Sequence, residues 1–372
     1  MPTSNNPPNA VVDARGIVRP TYPSILAPTA GTVPYTLVNG GVLAIYGSAQ
    51  GGQASPQASA PKVSSVSPAI CDSSGGTAIT ITGSGFTGAT SAWIGGSVCT
   101  SFVLVNDTTI TAVSPALPLS TQAYDLIVVN PVSAGALYSG ISIFSPPSIA
   151  GLLAWFRGDF GVTTATGVSA WADGSGSGDP NKNLIQPTTA KQPAFTPSDA
   201  AYNNRPTLTF ARASTQGLSA TGNWSVALAQ PFTVYAVGNT DGTTASQDFC
   251  DGNSVGQRLE FGGGAVATNL SMFGGSFITA AAAMGSKGAF AALVNGAASN
   301  LYANAITPIL SGANPGASAP TGLNLGYAYD TTSDTLNGKM AEFIVYSGAH
   351  TSAQIASVLK YLGTRYAITI GA

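Results

Sequence analysis

Charge is the first thing this chain does without. Only 13 Lys+Arg and 15 Asp+Glu occur among its 372 residues, 8% in all, where soluble domains usually carry about 25%. Just two of the acids are Glu, at Glu260 and Glu342, and His350 is the single His. A shortage of Glu, Lys and Arg is a shortage of helix formers. A net charge of −2 without a basic run leaves no electrostatic footprint for nucleic acid. One His and three Cys do not supply a four-ligand zinc site at recognisable spacing. No stretch approaches the ~20 apolar residues of a membrane helix, so no membrane partner is expected. Met1 to Ala10 is polar and Pro-rich, without the charged start and apolar core of a secretory signal. The expectation is a protein that reaches its site from the cytosol, by lysis, by another export route or inside a particle.

What is present is strand material. Gly accounts for 45 residues and Thr, Ser and Val are plentiful, which favours strands and tight turns over helices. With 44% hydrophobic residues the chain has enough apolar surface to fold. The sequence reads as all-β in three parts.

Residues 1–60 hold eight prolines and should be mostly extended, since Pro fixes φ and removes a donor. Tyr35–Val38 and Val42–Tyr46 flank Asn39-Gly40-Gly41 and read as a β-hairpin. A lone hairpin is marginal in water, so it should pack on the rest of the chain or on another subunit. Gly47 to Ala60 has linker composition. The segment reads as an anchoring arm.

Residues 61–146 contain short alternating strands at Ala78–Thr82, Ser101–Val105 and Thr109–Val113 and an apolar run at Tyr124–Val129, separated by Gly and Asn-Asp turns. Gly83-Ser-Gly85-Phe-Thr-Gly88 fits G-x-G-x-x-G, yet the residues after it lead into another Gly-Gly turn and not a helix, so a dinucleotide site is rejected. Pro61-Lys-Val-Ser-Ser-Val-Ser-Pro68, Gly75–Phe86 and Thr100–Ala112, in that order, closely resemble the IPT/TIG family of immunoglobulin-like domains. The resemblance implies an Ig-like sandwich acting as spacer or contact module. Cys71 and Cys99 fall in this part; a bridge between them is open on spacing, and free buried thiols are favoured without a signal sequence.

Residues 147–372 carry Leu152–Asp159, Val168–Asp173, Arg205–Phe210, Pro231–Val237 and Leu336–Tyr346 before a closing helix. In this order they resemble the concanavalin A-like/LamG jelly-roll superfamily, which implies a larger jelly roll. Phe232, Val234 and Ala236 alternate with Thr233, Tyr235 and Val237, as in a strand buried on both faces. Thr351 and Gln354 form a capping box, and Ile355, Val358, Leu359, Leu362 and Tyr366 share one helical face; Gly363 could end that helix early.

No catalytic residues are expected. Glu260 and Glu342 lie far apart in sequence, neither has a carboxylate within four residues, and His350 should be a surface residue before the helix cap. Asp173-Gly-Ser-Gly-Ser-Gly-Asp179-Pro-Asn181 places oxygen-bearing residues at alternate positions as a Ca²⁺ loop does, with Asp173, Asp179 and Asn181 as the ligands if calcium binds. No bidentate Glu closes it, so a structural loop is the plainer expectation. For glycan binding, Trp171, Trp224, Tyr202 and Tyr327 are the candidate aromatic platforms; packing is the alternative for each. The two resemblances together imply a structural virion protein of a tailed bacteriophage. Within the virion, a capsid decoration protein is favoured over a tail fibre because no heptads or shaft repeats occur. Its partners would be the major capsid protein or copies of itself, with a host-surface glycan as ligand. A tail fibre or a bacterial glycan-binding adhesin is the alternative.

Overall fold

The computed structural model describes residues 59–118 and 123–372, and the backbone of 10–12 and 18–20. The chain divides into two compact units, Met1–Ile143 and Phe144–Ala372. The described residues are all-β apart from short 3₁₀ turns and one α-helix. No helix among the described residues is long and apolar enough to cross a membrane.

In the first unit a four-stranded sheet (Lys62–Ser67, Ala78–Ser84, Thr109–Val113, Thr100–Asn106) accompanies a five-stranded one (Ile70–Asp72, Ala134–Phe144, Tyr124–Val129, Ser91–Ile94, Ser97–Val98). Period-2 alternation decides which side chains go inward. Ile79, Ile81, Ile110 and Ala112 of the first sheet meet Ala92, Ile94, Leu126, Val128 and Ile141 of the second in one core. Cys71 and Cys99 are buried there as free thiols. Burial pushes them up to about 11 and about 12, so neither is a reactive thiolate. Beyond Ala78–Ser84, the Gly83–Gly88 segment is held by Asp107, whose carboxylate accepts from the Gly85 and Thr87 N–H groups at 3.1 and 3.0 Å. The next element is the strand Ser91–Ile94, so the segment lacks the helix that a dinucleotide site requires.

Ala10–Val12 pairs antiparallel with Val18–Pro20. Proline content alone pointed to unpaired backbone here; Pro20 is accommodated at the end of the ladder, opposite Ala10. The hairpin expected at Tyr35–Tyr46 and the linker up to residue 58 lie outside the described residues.

The second unit is a sandwich of two antiparallel sheets. One runs Ala194–Asp199, Arg205–Phe210, Gly338–Ser347, Phe232–Asn239, Gly288–Val294, Ser299–Ala303, Leu310–Ala313, with Leu152–Arg157 also on Gly338–Ser347. The other runs Val162–Thr164, Val168–Trp171, Leu184–Ile185, Leu218–Ala220, Leu323–Leu325, Gln247–Gly252, Glu260–Gly263, Asn269–Phe273, Phe277–Ala281. Phe232, Val234, Phe290 and Phe343 from the first sheet share one core with Trp171, Phe249, Phe261 and Leu325 from the second. Phe232–Asn239 is buried on both faces through Gly238, as its double alternation predicts.

The α-helix spans Ser352–Tyr366 and opens with the expected capping box. It passes through Gly363 and stops at Ala367, which adopts a left-handed φ of 50°. Gly363 serves packing instead of termination. A Cβ there would lie 2.5 Å from Ile370 Cγ1, so glycine admits the returning tail. The helix covers the outer face of the first sheet around fully buried Glu342. That carboxylate accepts from Trp155 Nε1 at 2.7 Å, Tyr361 at 3.2 Å and Tyr366 at 2.9 Å, with Arg365 Nε at 3.7 Å.

Candidate functional site

The four aromatic residues singled out from sequence all lie inside the larger unit. Trp171 is fully buried, donating to the Arg157 carbonyl at 3.1 Å and packing edge-on to Phe156. Trp224 is 4% exposed within the sandwich core. Tyr202 is buried with its hydroxyl on Asn239 Oδ1 at 2.7 Å. Tyr327 is buried with its hydroxyl 2.9 Å from Ser219 Oγ, beside a cavity of about 310 Å³. A sugar platform needs an open ring face, and none of these four offers one; each fills the interior instead.

The Asp173–Asn183 loop is internally satisfied. Asp173 accepts from Trp155 N at 2.8 Å and Ser175 N at 2.9 Å through one oxygen, and from the Ser175 and Ser177 hydroxyls through the other. Asp179 accepts from Asn181 N at 3.0 Å and Ser225 N at 3.1 Å, while the Asn181 amide donates to the Asn223 carbonyl. These hydrogen bonds close the turns and tie the loop to Trp155, Asn223 and Ser225.

His350 is not on the surface. It is 6% exposed, with Nδ1 2.7 Å from the Tyr235 hydroxyl and its ring 4.3 Å from that of Tyr346. Burial lowers its pKa to about 4. The unfolded chain therefore binds a proton near pH 6.5 that the folded state refuses until about 4. This contribution to stability is complete above pH 6.5 and drains away as pH falls towards 4. Replacing His350 by Gln should flatten that part of the stability–pH curve, read by denaturant titration at several pH values; an unchanged acid limb would contradict the assignment.

The carboxylates that do converge are Asp248, Glu260 and Asp334, whose ligand atoms lie within 4.8 Å of one another. Local sequence hides this grouping. Asp248 and Glu260 stand on the adjacent strands Gln247–Gly252 and Glu260–Gly263, paired antiparallel. Asp334 comes from the turn before Gly338–Ser347, and its carbonyl accepts from Asp248 N at 2.8 Å. Glu260 thus has carboxylate neighbours that spacing along the chain did not reveal. Arg258 lies among them: it ion-pairs with Glu260, sits 3.2 Å from Asp251 Oδ2 and 4.0 Å from Asp334 Oδ2, and stacks its guanidinium over Tyr329 at 4.7 Å. Asp251 is saturated, accepting also from the backbone N–H groups of Gly252, Leu259 and Tyr329. Asp248 is not: its buried Oδ2 has no hydrogen-bond partner. Burial, reinforced by the neighbouring acids, pushes Asp248 well above the carboxylate range. Burial and the same neighbours, opposed by Arg258, raise Glu260 to about 7.

Asp248 and Glu260 open into a groove of about 290 Å³ on the outer face of this sheet. Strand register aligns Asp248, Gly262, Ser271 and Thr279 in one row, and Glu260, Phe273 and Phe277 in the next. Phe277 is 57% exposed and packs on Phe273 with ring centroids 4.7 Å apart. A Cβ on Gly264 would lie 1.9 Å from Ser271 Oγ, so a side chain there would have to displace that hydroxyl. An exposed aromatic ring thus stands beside hydroxyl, amide and carboxyl groups.

Comparison with known proteins bears first on the smaller unit. Residues 61–142 match the family model of the IPT/TIG domain. Residues 61–142 are an IPT/TIG domain. The match coincides with the two sheets of the first unit, and the IPT/TIG domain lacks a converging acid cluster among its described residues. A search of curated proteins finds no match. Solved structures similar to the chain include domain 4 of AbnA, a GH43 extracellular arabinanase from Geobacillus stearothermophilus, in complex with arabinotriose (15% identity, TM-score 0.39, 56% of this chain and 98% of that one). Trypanosoma rangeli sialidase in complex with sialic acid is similar over 79% of this chain and 44% of that one, at 10% identity and TM-score 0.42. The binding domain of Paraclostridial Mosquitocidal Protein 1 is similar over 56% and 52%, at 13% identity and TM-score 0.40.

Proposed function

We propose that the chain is a non-catalytic display protein, with the IPT/TIG domain as spacer and the larger sandwich, read as a concanavalin A-like jelly roll, as a glycan-binding module. The observation that carries this is the groove, where exposed Phe277 adjoins Asn269, Ser271, Thr279 and the acid cluster. A sugar presents an apolar C–H face and a rim of hydroxyls, and the groove offers an apolar ring and a polar row in matching order. The acids disfavour anionic sugars, so the ligand class is a neutral glycan. Per-site affinity is low, and display in many copies raises it through effective concentration.

Phe277→Ala should weaken neutral-glycan binding roughly tenfold, about 1.4 kcal/mol, while stability changes by less than about 0.5 kcal/mol because the ring is largely exposed. Glycan-array and calorimetric titrations of the full chain read the first, and thermal melts the second. Binding indifferent to Phe277→Ala would move the site elsewhere.

Binding is favoured over hydrolysis because Arg258 is ion-paired with Glu260, the one Glu of the groove. Turnover of a polysaccharide, lost in Glu260→Gln, would overturn the non-catalytic reading. The setting we propose is the surface of a tailed-phage capsid, the chain docking through residues 1–60. Mass spectrometry of purified virions tests it; absence of the chain from particles would favour a bacterial adhesin.

A further inference from the structure

We propose that Asp248, Glu260 and Asp334 form a divalent-cation site, of the hard, oxygen-seeking class to which calcium belongs, at the floor of the groove. The cluster gathers three carboxylates with ligand atoms inside 4.8 Å, and all-oxygen donors select calcium-like over thiolate- or imidazole-seeking metals. A cluster of acids is by itself a common surface feature. Here a second observation singles it out: Asp248, a member of the cluster, is 3% exposed, and its Oδ2 is buried without any hydrogen-bond partner. A buried carboxylate oxygen left unmatched is costly, and proteins normally satisfy it.

Charge counting points the same way. Asp248, Asp251, Glu260 and Asp334 surround Arg258, and Arg212 and Asp330 also act on Asp334. Ionised together, these five acids exceed the two guanidinium groups in a half-buried place, an excess that either protons or a bound metal ion must offset. Arg258 need not leave when a cation enters. Its Nε stays with Asp251, and its plane rests on Tyr329, with Phe273 5.3 Å away on the same guanidinium. Its contacts with Glu260 and Asp334 have to loosen. The adjoining groove gives water or ligand hydroxyls access to coordination positions that three carboxylates do not fill. This inference stands apart from the glycan reading, since the cation can bind with no sugar present.

The test is calcium titration of the full chain by calorimetry, with terbium luminescence as a second probe and Tyr329 as the nearby sensitiser. One ion per chain should bind, raising the thermal midpoint, and affinity should fall as pH drops from 7.5 to 5 because ligand protons compete. Asp248→Asn should weaken binding by about tenfold or more while the chain stays folded, since it replaces an acid by a neutral isostere. Asp334→Ser, on the exposed side of the cluster, should do the same. Asp179→Asn should leave binding unchanged. No binding at about 1 mM calcium, or binding that survives Asp248→Asn and Asp334→Ser, would overturn the assignment. Loss in Asp179→Asn alone would transfer the site to the Asp173–Asn183 loop and equally overturn it. Glycan binding by metal-free protein would leave the glycan reading standing whatever the calcium result.

Discussion

Glu342→Ala should destabilise the larger unit by about 3–5 kcal/mol, the usual cost of removing one partner from a buried ionic network. Glu342 is fully buried, and three aromatic donors and Arg365 converge on it. Arg365 is itself 1% exposed and also ion-paired with Asp159, which Arg157 contacts at 2.6 Å. Deleting the carboxylate leaves a buried guanidinium with less charge compensation and removes an acceptor that Trp155, Tyr361 and Tyr366 share. Because Tyr361, Arg365 and Tyr366 all belong to the helix, its docking should loosen first. Hydrogen exchange should show the Ser352–Tyr366 amides losing protection ahead of the sheets. Glu342→Gln, which keeps an acceptor, should lose distinctly less. A variant as stable as the parent, with the helix still protected, would show that the network contributes nothing to docking.

Trp224→Ala should cost about 3–5 kcal/mol, in the range of large core truncations. Trp224 N donates to the Thr321 carbonyl at 2.5 Å, and the ring joins Leu228 in the core, with Lys182 Nζ 5.9 Å from its centroid. The ring is the plug of this end of the sandwich, so denaturant midpoints should fall. A melting temperature left unchanged, with glycan binding lost, would instead restore Trp224 as a platform.

The parts of this molecule written in local sequence were legible, and those written in tertiary pairing were not. Alternation located Ala78–Ser84, Thr100–Asn106 and Thr109–Val113 because each strand's inward face is set by neighbours two residues away, and an apolar run located Tyr124–Val129. Thr351 and Gln354 announced the helix because a capping box is a local exchange of hydrogen bonds. Asp248, Glu260 and Asp334 gave no such signal, since a strand pairing and a distant turn bring them together. The nearest clue in the sequence is that three of the 15 acids, Asp248, Asp251 and Glu260, fall in one short stretch, and nothing local tells that its two strands pair. His350 misled for a related reason. Its position before a helix cap suggested exposure, while the outward face of Phe232–Asn239 supplies Tyr235 and encloses it. Phe277 was passed over because ring size does not tell an outward-facing aromatic from a core one.

The two strands that end the nine-stranded sheet separate their labours by parity. Leu270, Met272 and Ile278 point into the core, whereas Asn269, Ser271, Phe277 and Thr279 face the groove. Substitutions on the outer set are therefore nearly free of folding cost, apart from Ser271, whose hydroxyl abuts Gly264. Positions 269, 277 and 279 form a natural palette on which selection, or a combinatorial library, can rewrite what the surface recognises while the scaffold beneath stays constant.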